Sequence, residues 1–175
     1  MAVDAPDARG LVIRRARVGD IKGIKGLVDR YAGKVLLTKQ LVTLYESVQE
    51  FWVAEADGAL VGCGALHVLW EDLAEIRTVA VDPLALGRGV GRALVGQLID
   101  AARDLGLSRL FVLTFETDFF AHLGFVEIAG TPVSSEVYQE MCRSMDEGVA
   151  EFLDLPYVKP NILGNTRMLL ELAAD

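Results

Sequence analysis

The chain has 175 residues, 52% of them hydrophobic, and a formal net charge of −8. That length and apolar content exclude disorder over most of the chain and fit a single domain over residues 11–175, with residues 1–10 as a polar, frayed start. The negative balance excludes nucleic acid or an anionic membrane as the main partner, and no apolar run is long enough to span a bilayer.

The elements follow in chain order. Leu11, Val12 and Ile13 open a short strand. Asp20 reads as the N-cap of a helix in which Ile21, Ile24, Leu27, Val28 and Tyr31 recur at helical spacing, with Gly33 as its stop. A second helix follows Thr38, with Leu41, Leu44, Tyr45 and Val48 apolar. Residues 51–56 and 59–69 alternate as strands around an Asp57-Gly58 hairpin turn. Residues 73–81 form the next strand, which Asp82-Pro83 ends because proline cannot donate to a ladder. After a glycine-rich stretch, residues 92–105 carry Leu94, Val95, Leu98, Ile99, Ala102 and Leu105 on one helical face, and Gly106 caps it. Strands are expected over 109–113, 125–129 and 166–172. Helices are expected over 117–123, closed by Gly124, and over 135–145. Pro156, Pro160 and Gly164 make 154–164 a loop. This order, with hairpins and strand–helix–strand crossovers together, predicts a mixed α/β sheet flanked by helices.

Between the strand at 76–81 and the helix at 92 lies Leu84-Ala85-Leu86-Gly87-Arg88-Gly89-Val90-Gly91-Arg92. A glycine turn at a helix N-terminus exposes consecutive backbone N–H groups, where the unpaired amides and the helix dipole favour an anion, usually phosphate. The dinucleotide fingerprint G-x-G-x-x-G fails, because Gly87 and Gly89 are followed by Arg92 in the third place. No G-x-x-x-x-G-K string is present either. The two histidines, His67 and His122, and the two cysteines, Cys63 and Cys142, show no zinc spacing, so no metal is expected. Two cysteines also fit a reducing, cytoplasmic compartment better than a disulfide framework.

With Val53-Ala54-Glu55-Ala56-Asp57-Gly58, Gly62-Cys63-Gly64-Ala65-Leu66, Ala74-Glu75-Ile76-Arg77-Thr78-Val79-Ala80-Val81 and Leu110-Phe111-Val112-Leu113-Thr114 in order, the chain resembles the GCN5-related N-acetyltransferases. The closing Phe120-Ala121-His122-Leu123-Gly124-Phe125 belongs to the same set. Within that family the segments resemble the amino-acid acetyltransferases of the N-acetylglutamate synthase type, in the short form without a kinase-like domain. The entrance Leu36-Leu37-Thr38-Lys39 is similar to that branch's Leu-Leu-x-Arg.

The resemblance implies a mostly antiparallel sheet and acetyl-CoA as acetyl donor. The pyrophosphate would be held by Leu86, Gly87, Arg88, Gly89, Val90, Gly91 and Arg92. Leu86 replaces the usual Gln or Arg, which costs little if main-chain amides do the holding. The resemblance puts the thioester carbonyl on the N–H of Val79, with Ala80 and Val81 along the pantetheine arm. Glu75 is the implied base, its alternative being a solvated strand-edge carboxylate. The family's Tyr before Gly-Phe is absent. Thr114 stands where a hydroxyl could donate a proton, or it bonds to backbone.

Lys39 and Arg77 are the implied substrate anchors, with Cys63 lining the same region. Gly164-Asn165-Thr166 lacks the branch's Arg, for which Lys159 or Arg167 could substitute. This makes L-glutamine a rival to L-glutamate as acceptor. The first step of arginine biosynthesis is implied, with L-arginine as a candidate feedback inhibitor and a homodimer as the candidate assembly. Rival functions are the same transfer to another amine and a non-catalytic acyl-CoA sensor.

Overall fold

The computed structural model describes residues 10–34, 36, 38–156 and 164–173. The expected fraying before Gly10, Leu37 of the entrance motif, Lys159 and most of the 154–164 loop lie outside the described residues. Seven strands and six α-helices are described: β1 (Leu11–Arg15), α1 (Ile21–Tyr31), α2 (Leu41–Glu46), β2 (Phe51–Ala56), β3 (Ala59–Trp70), β4 (Leu73–Val81), α3 (Val90–Asp104), β5 (Arg109–Thr114), α4 (Thr117–Ala121), β6 (Val126–Glu127), α5 (Ser135–Met141), α6 (Glu147–Phe152) and β7 (Thr166–Glu171). The strands run in the order β1-β2-β3-β4-β5-β7-β6. β1 with β2, β2 with β3, β5 with β7 and β6 with β7 pair antiparallel, so the sheet is the mixed, mostly antiparallel one expected.

The described residues form two compact units. One comprises residues up to His67 with Ile76–Leu105, the other Val68–Glu75 with residues from Gly106 on. In the first unit the alternation of β2 sorts side chains to two faces. Phe51 and Val53 join Ile21, Ile24, Leu27, Val28 and Leu44 of α1 and α2, while Ala54 joins Val90 and Leu94 of α3. Helix α3 lies close because β3 offers no side chain at Gly62 and Gly64. A Cβ at Gly62 would come within 2.8 Å of Leu94 Cδ1. The β2–β3 hairpin turns on Asp57 and Gly58, with φ of 51° and 77°, the left-handed pair a two-residue turn requires. Asp20 stands at the N-cap of α1, but its carboxylate caps nothing there. It accepts from the Arg17 N–H at 2.7 Å and pairs with Arg14.

The second unit buries Phe111, Met141, Val149, Phe152, Leu153 and Leu169 together with Leu69 and Leu73 from the ends of β3 and β4. Here the sequence reading needs correction. The helix expected over 135–145 ends at Met141, and a further helix, α6, follows from Asp146, whose carboxylate accepts from the Val149 N–H. The strand expected over 125–129 shrinks to Val126–Glu127. Arg167 on β7 ties residues 130–152 down: its guanidinium donates to the carbonyls of Gly130, Glu151 and Phe152 and packs 4.9 Å from the Phe111 ring centroid. Val133, Val137, Tyr138, Met141, Val149, Phe152 and Leu153 therefore pack into this unit's core. Phe152 is fully buried, edge-on to Phe111. Phe152→Ala should cost about 3–5 kcal/mol, read from the shift in urea midpoint.

Candidate functional site

In the first unit β4 ends at a built turn. Asp82 accepts from the Leu84 N–H at 2.9 Å and pairs with Arg30 at 2.6 Å, while its own N–H donates to the Val61 carbonyl. These bonds hold the Asp82 carboxyl below its usual range, the Leu84 amide first and Arg30 after it. The Tyr31 hydroxyl donates to the Val81 carbonyl, a role its place on an apolar helix face did not announce. Gly87 and Gly89 follow with φ of 75° and 78°, both left-handed, and Gly89 is the N-cap of α3.

The helix thus begins at Val90, two residues before the sequence reading placed it. The first intrahelical bond runs from the Ala93 N–H to the Gly89 carbonyl. The amides of Val90, Gly91 and Arg92 precede it and have no intrahelical acceptor. No carboxylate stands in the first turn of α3 and no side chain caps it. Leu86, Gly87, Arg88, Gly89 and Arg92 are exposed, Gly91 is half-buried, and Val90 turns its side chain into the core. Fifteen residues of aligned dipole end on a turn that carries no acidic residue of its own. That arrangement fits a phosphate group.

Upstream, β4 departs from regular geometry. Thr78 is left-handed at φ 58° in the middle of the strand. A β-branched residue there is a genuine outlier, and it kinks the strand locally. No sequence signal marks it, since Arg77-Thr78-Val79 reads as ordinary strand. Cys63 is fully buried in the core with Val53, Ala65 and Ala80. Its thiol donates to the Thr78 carbonyl at 3.6 Å; burial pushes the thiol up and the Ala80 amide draws it back down in part. Arg77 and Val79 are half-buried. Lys39 is half-buried just before α2 and forms no ion pair among the described residues.

The second unit holds Glu75 and Thr114, both buried. The Thr114 Oγ1 accepts from the Glu116 N–H at 2.9 Å, closing the turn after β5, and its own proton is left to donate. Burial holds the Arg167 guanidinium below its ordinary value, against the pull of Asp154 and Glu75. Three of its N–H groups are already committed to main-chain carbonyls. Helix α4 carries Phe119 and Phe120 but no tyrosine.

A turn suited to a phosphate thus lies between the kinked strand β4 and helix α3 of this sheet. The chain belongs to the acetyltransferase (GNAT) family, which residues 28–125 match. It is 70% identical over 164 residues to the amino-acid acetyltransferase of Mycobacterium tuberculosis, covering 92% of this chain and 94% of that one. The crystal structure of Rv2747 from Mycobacterium tuberculosis, in complex with CoA and NLQ, is 69% identical with a TM-score of 0.90, over 93% of this chain and 99% of that one. The N-acetylglutamate synthase of Neisseria gonorrhoeae, complexed with coenzyme A and N-acetyl-glutamate, is 29% identical with a TM-score of 0.75. This chain is covered over 94% there, but that one over 35%. The same synthase has been solved with coenzyme A and L-arginine. The chain is thus an acetyl-CoA-dependent N-acetyltransferase.

Proposed function

We propose that this chain, acting as a single cytoplasmic domain, transfers the acetyl group of acetyl-CoA to the α-amino group of L-glutamate or L-glutamine and opens arginine biosynthesis. The 70% identity to an amino-acid acetyltransferase over nearly the whole of both chains carries the reading. The turn at residues 86–92 supports the cofactor half of it. Acetyl-CoA supplies an acetyl thioester with thiolate as leaving group. The amides of Gly87 and of residues 89–92 hold its pyrophosphate, Arg88 and Arg92 add charge, and Ala80 and Val81 track its pantetheine.

In this reading Glu75 takes a proton from the substrate's ammonium, because only the neutral amine is a nucleophile. The Val79 N–H meets the carbonyl oxygen on which charge develops. The Thr114 hydroxyl donates toward the leaving sulfur or orients a water that does. Lys39 and Arg77 meet the substrate's α-carboxylate.

One observation favours glutamine as the acceptor. Arg167, a candidate to replace the missing cationic anchor, spends three N–H groups on main-chain carbonyls. A side-chain amide needs no cation, whereas a side-chain carboxylate does. A substrate panel with thiol release as readout tests both levels. Turnover of glutamine above glutamate is expected. Turnover of some other amine with both of these inert would overturn the amino-acid reading, and CoA binding with no turnover of any amine would leave only a sensor. Titration with L-arginine, read as inhibition, tests feedback. A homodimer is part of the proposal, checked by sedimentation.

A further inference from the structure

We infer that Cys63 is a positioning residue: its thiol pins the kink of β4 at Thr78 and so aims the Val79 amide at the thioester. The inference rests on the reading of Val79 given above.

The geometry is specific. Thr78 is a β-branched residue at φ 58°, a strained conformation that persists only where surroundings enforce it. A left-handed residue also turns its main-chain groups away from the regular strand direction, and buried main-chain groups need partners. Cys63 stands on the neighbouring strand, opposite Val53 of β2, with no exposure to solvent. Its sulfur meets the kink directly, since the Thr78 carbonyl accepts from it at 3.6 Å, and the Ala80 amide acts on the thiol from beyond Val79, drawing its pKa down against burial. These two groups flank Val79 in sequence.

The chemistry suits a thiol. Burial pushes Cys63 up to about 12, so at neutral pH it remains S–H and can donate and accept at once. A serine hydroxyl has the same two capacities but a shorter bond to carbon, and falls short of a contact at this distance. Alanine has neither. With its proton held and no surface exposed, Cys63 is not a nucleophile. Its partners are backbone atoms, so it acts through the shape of β4.

Cys63→Ala tests this when combined with Thr78→Gly, since glycine adopts a left-handed φ without a tether. The alanine variant should lose roughly ten- to hundredfold in kcat, the range for a misplaced reacting group. Its affinity for CoA by calorimetry should fall far less than kcat, because the pyrophosphate turn lies elsewhere. Adding Thr78→Gly should restore much of the lost kcat. An unaltered kcat in Cys63→Ala overturns the inference. So does a loss that Thr78→Gly leaves unrepaired, or one matched by loss of CoA affinity, since either marks a packing defect. If Cys63→Ala does not fold, Cys63→Ser with the same second change serves, with a comparable loss and the same repair expected.

The amide resonances separate this inference from the reading beneath it. In the wild type, the Val79 amide should shift differently with acetyl-CoA than with CoA. No difference there sinks the Val79 reading. A difference that persists unchanged in Cys63→Ala sinks the role of Cys63 alone.

Discussion

Gly89→Val should weaken CoA binding by roughly 5- to 150-fold while leaving the fold in place, the factor that corresponds to about 1–3 kcal/mol of backbone strain. Gly89 holds φ 78° and ψ 4° at the N-cap of α3. A β-branched residue avoids that region, so the turn would relax to another conformation and the amides at 90–92 would point elsewhere. Space plays no part, because a Cβ at Gly89 would meet nothing within 4 Å. The cost is purely conformational, and this fixes an order. Asparagine tolerates the left-handed region and should bind CoA better than alanine, and alanine better than valine. Calorimetry on the series checks it. Gly96 lies within α3 with open space around it and an ordinary φ. Gly96→Ala should leave affinity alone and raise stability by about 0.5–1 kcal/mol. Equal affinities for the asparagine and valine variants at residue 89 would mean that the turn's shape does not hold the phosphates.

That turn was legible in the sequence because a left-handed backbone leaves glycine behind as its mark. The Asp57-Gly58 hairpin was legible for the same reason, and the bounds of β2 and β4 followed from alternation and from Pro83. The kink at Thr78 was not legible. A threonine carries it, and what holds it is a sulfur on the next strand, which no local pattern encodes. Helix α6 was missed because Ser144 and Asp146 interrupt the periodicity, and its apolar residues Val149, Ala150, Phe152 and Leu153 are too few to show a face alone. The cationic side of the site was read least well. Arg167 was a candidate for the substrate, yet its bonds run to the main chain of residues 130, 151 and 152. Which partner a long charged side chain chooses is settled by tertiary contacts far away in sequence.

Glu75→Gln should lower kcat/KM for the amino acid by roughly 10²- to 10⁴-fold near neutral pH, the usual worth of a positioned base. The pH dependence of that loss is the sharper test. The substrate's amine is almost wholly protonated at neutral pH. In the wild type, Glu75 accepts that proton after binding, so kcat/KM should be nearly flat once its carboxylate is ionised. Without the carboxylate, only substrate that arrives already neutral can react. The fraction of neutral amine rises about tenfold per pH unit until the amine's own pKa is reached, so the variant's kcat/KM should climb with unit slope and close on the wild type. Two profiles that stay parallel would show that Glu75 moves no proton at the amine. Glutamine keeps the shape of the side chain but removes the charge that interacts with the half-desolvated Arg167. Melting points measured at each pH therefore belong beside the rates, because a deficit that tracked unfolding would have its origin in that pair and not in the chemistry.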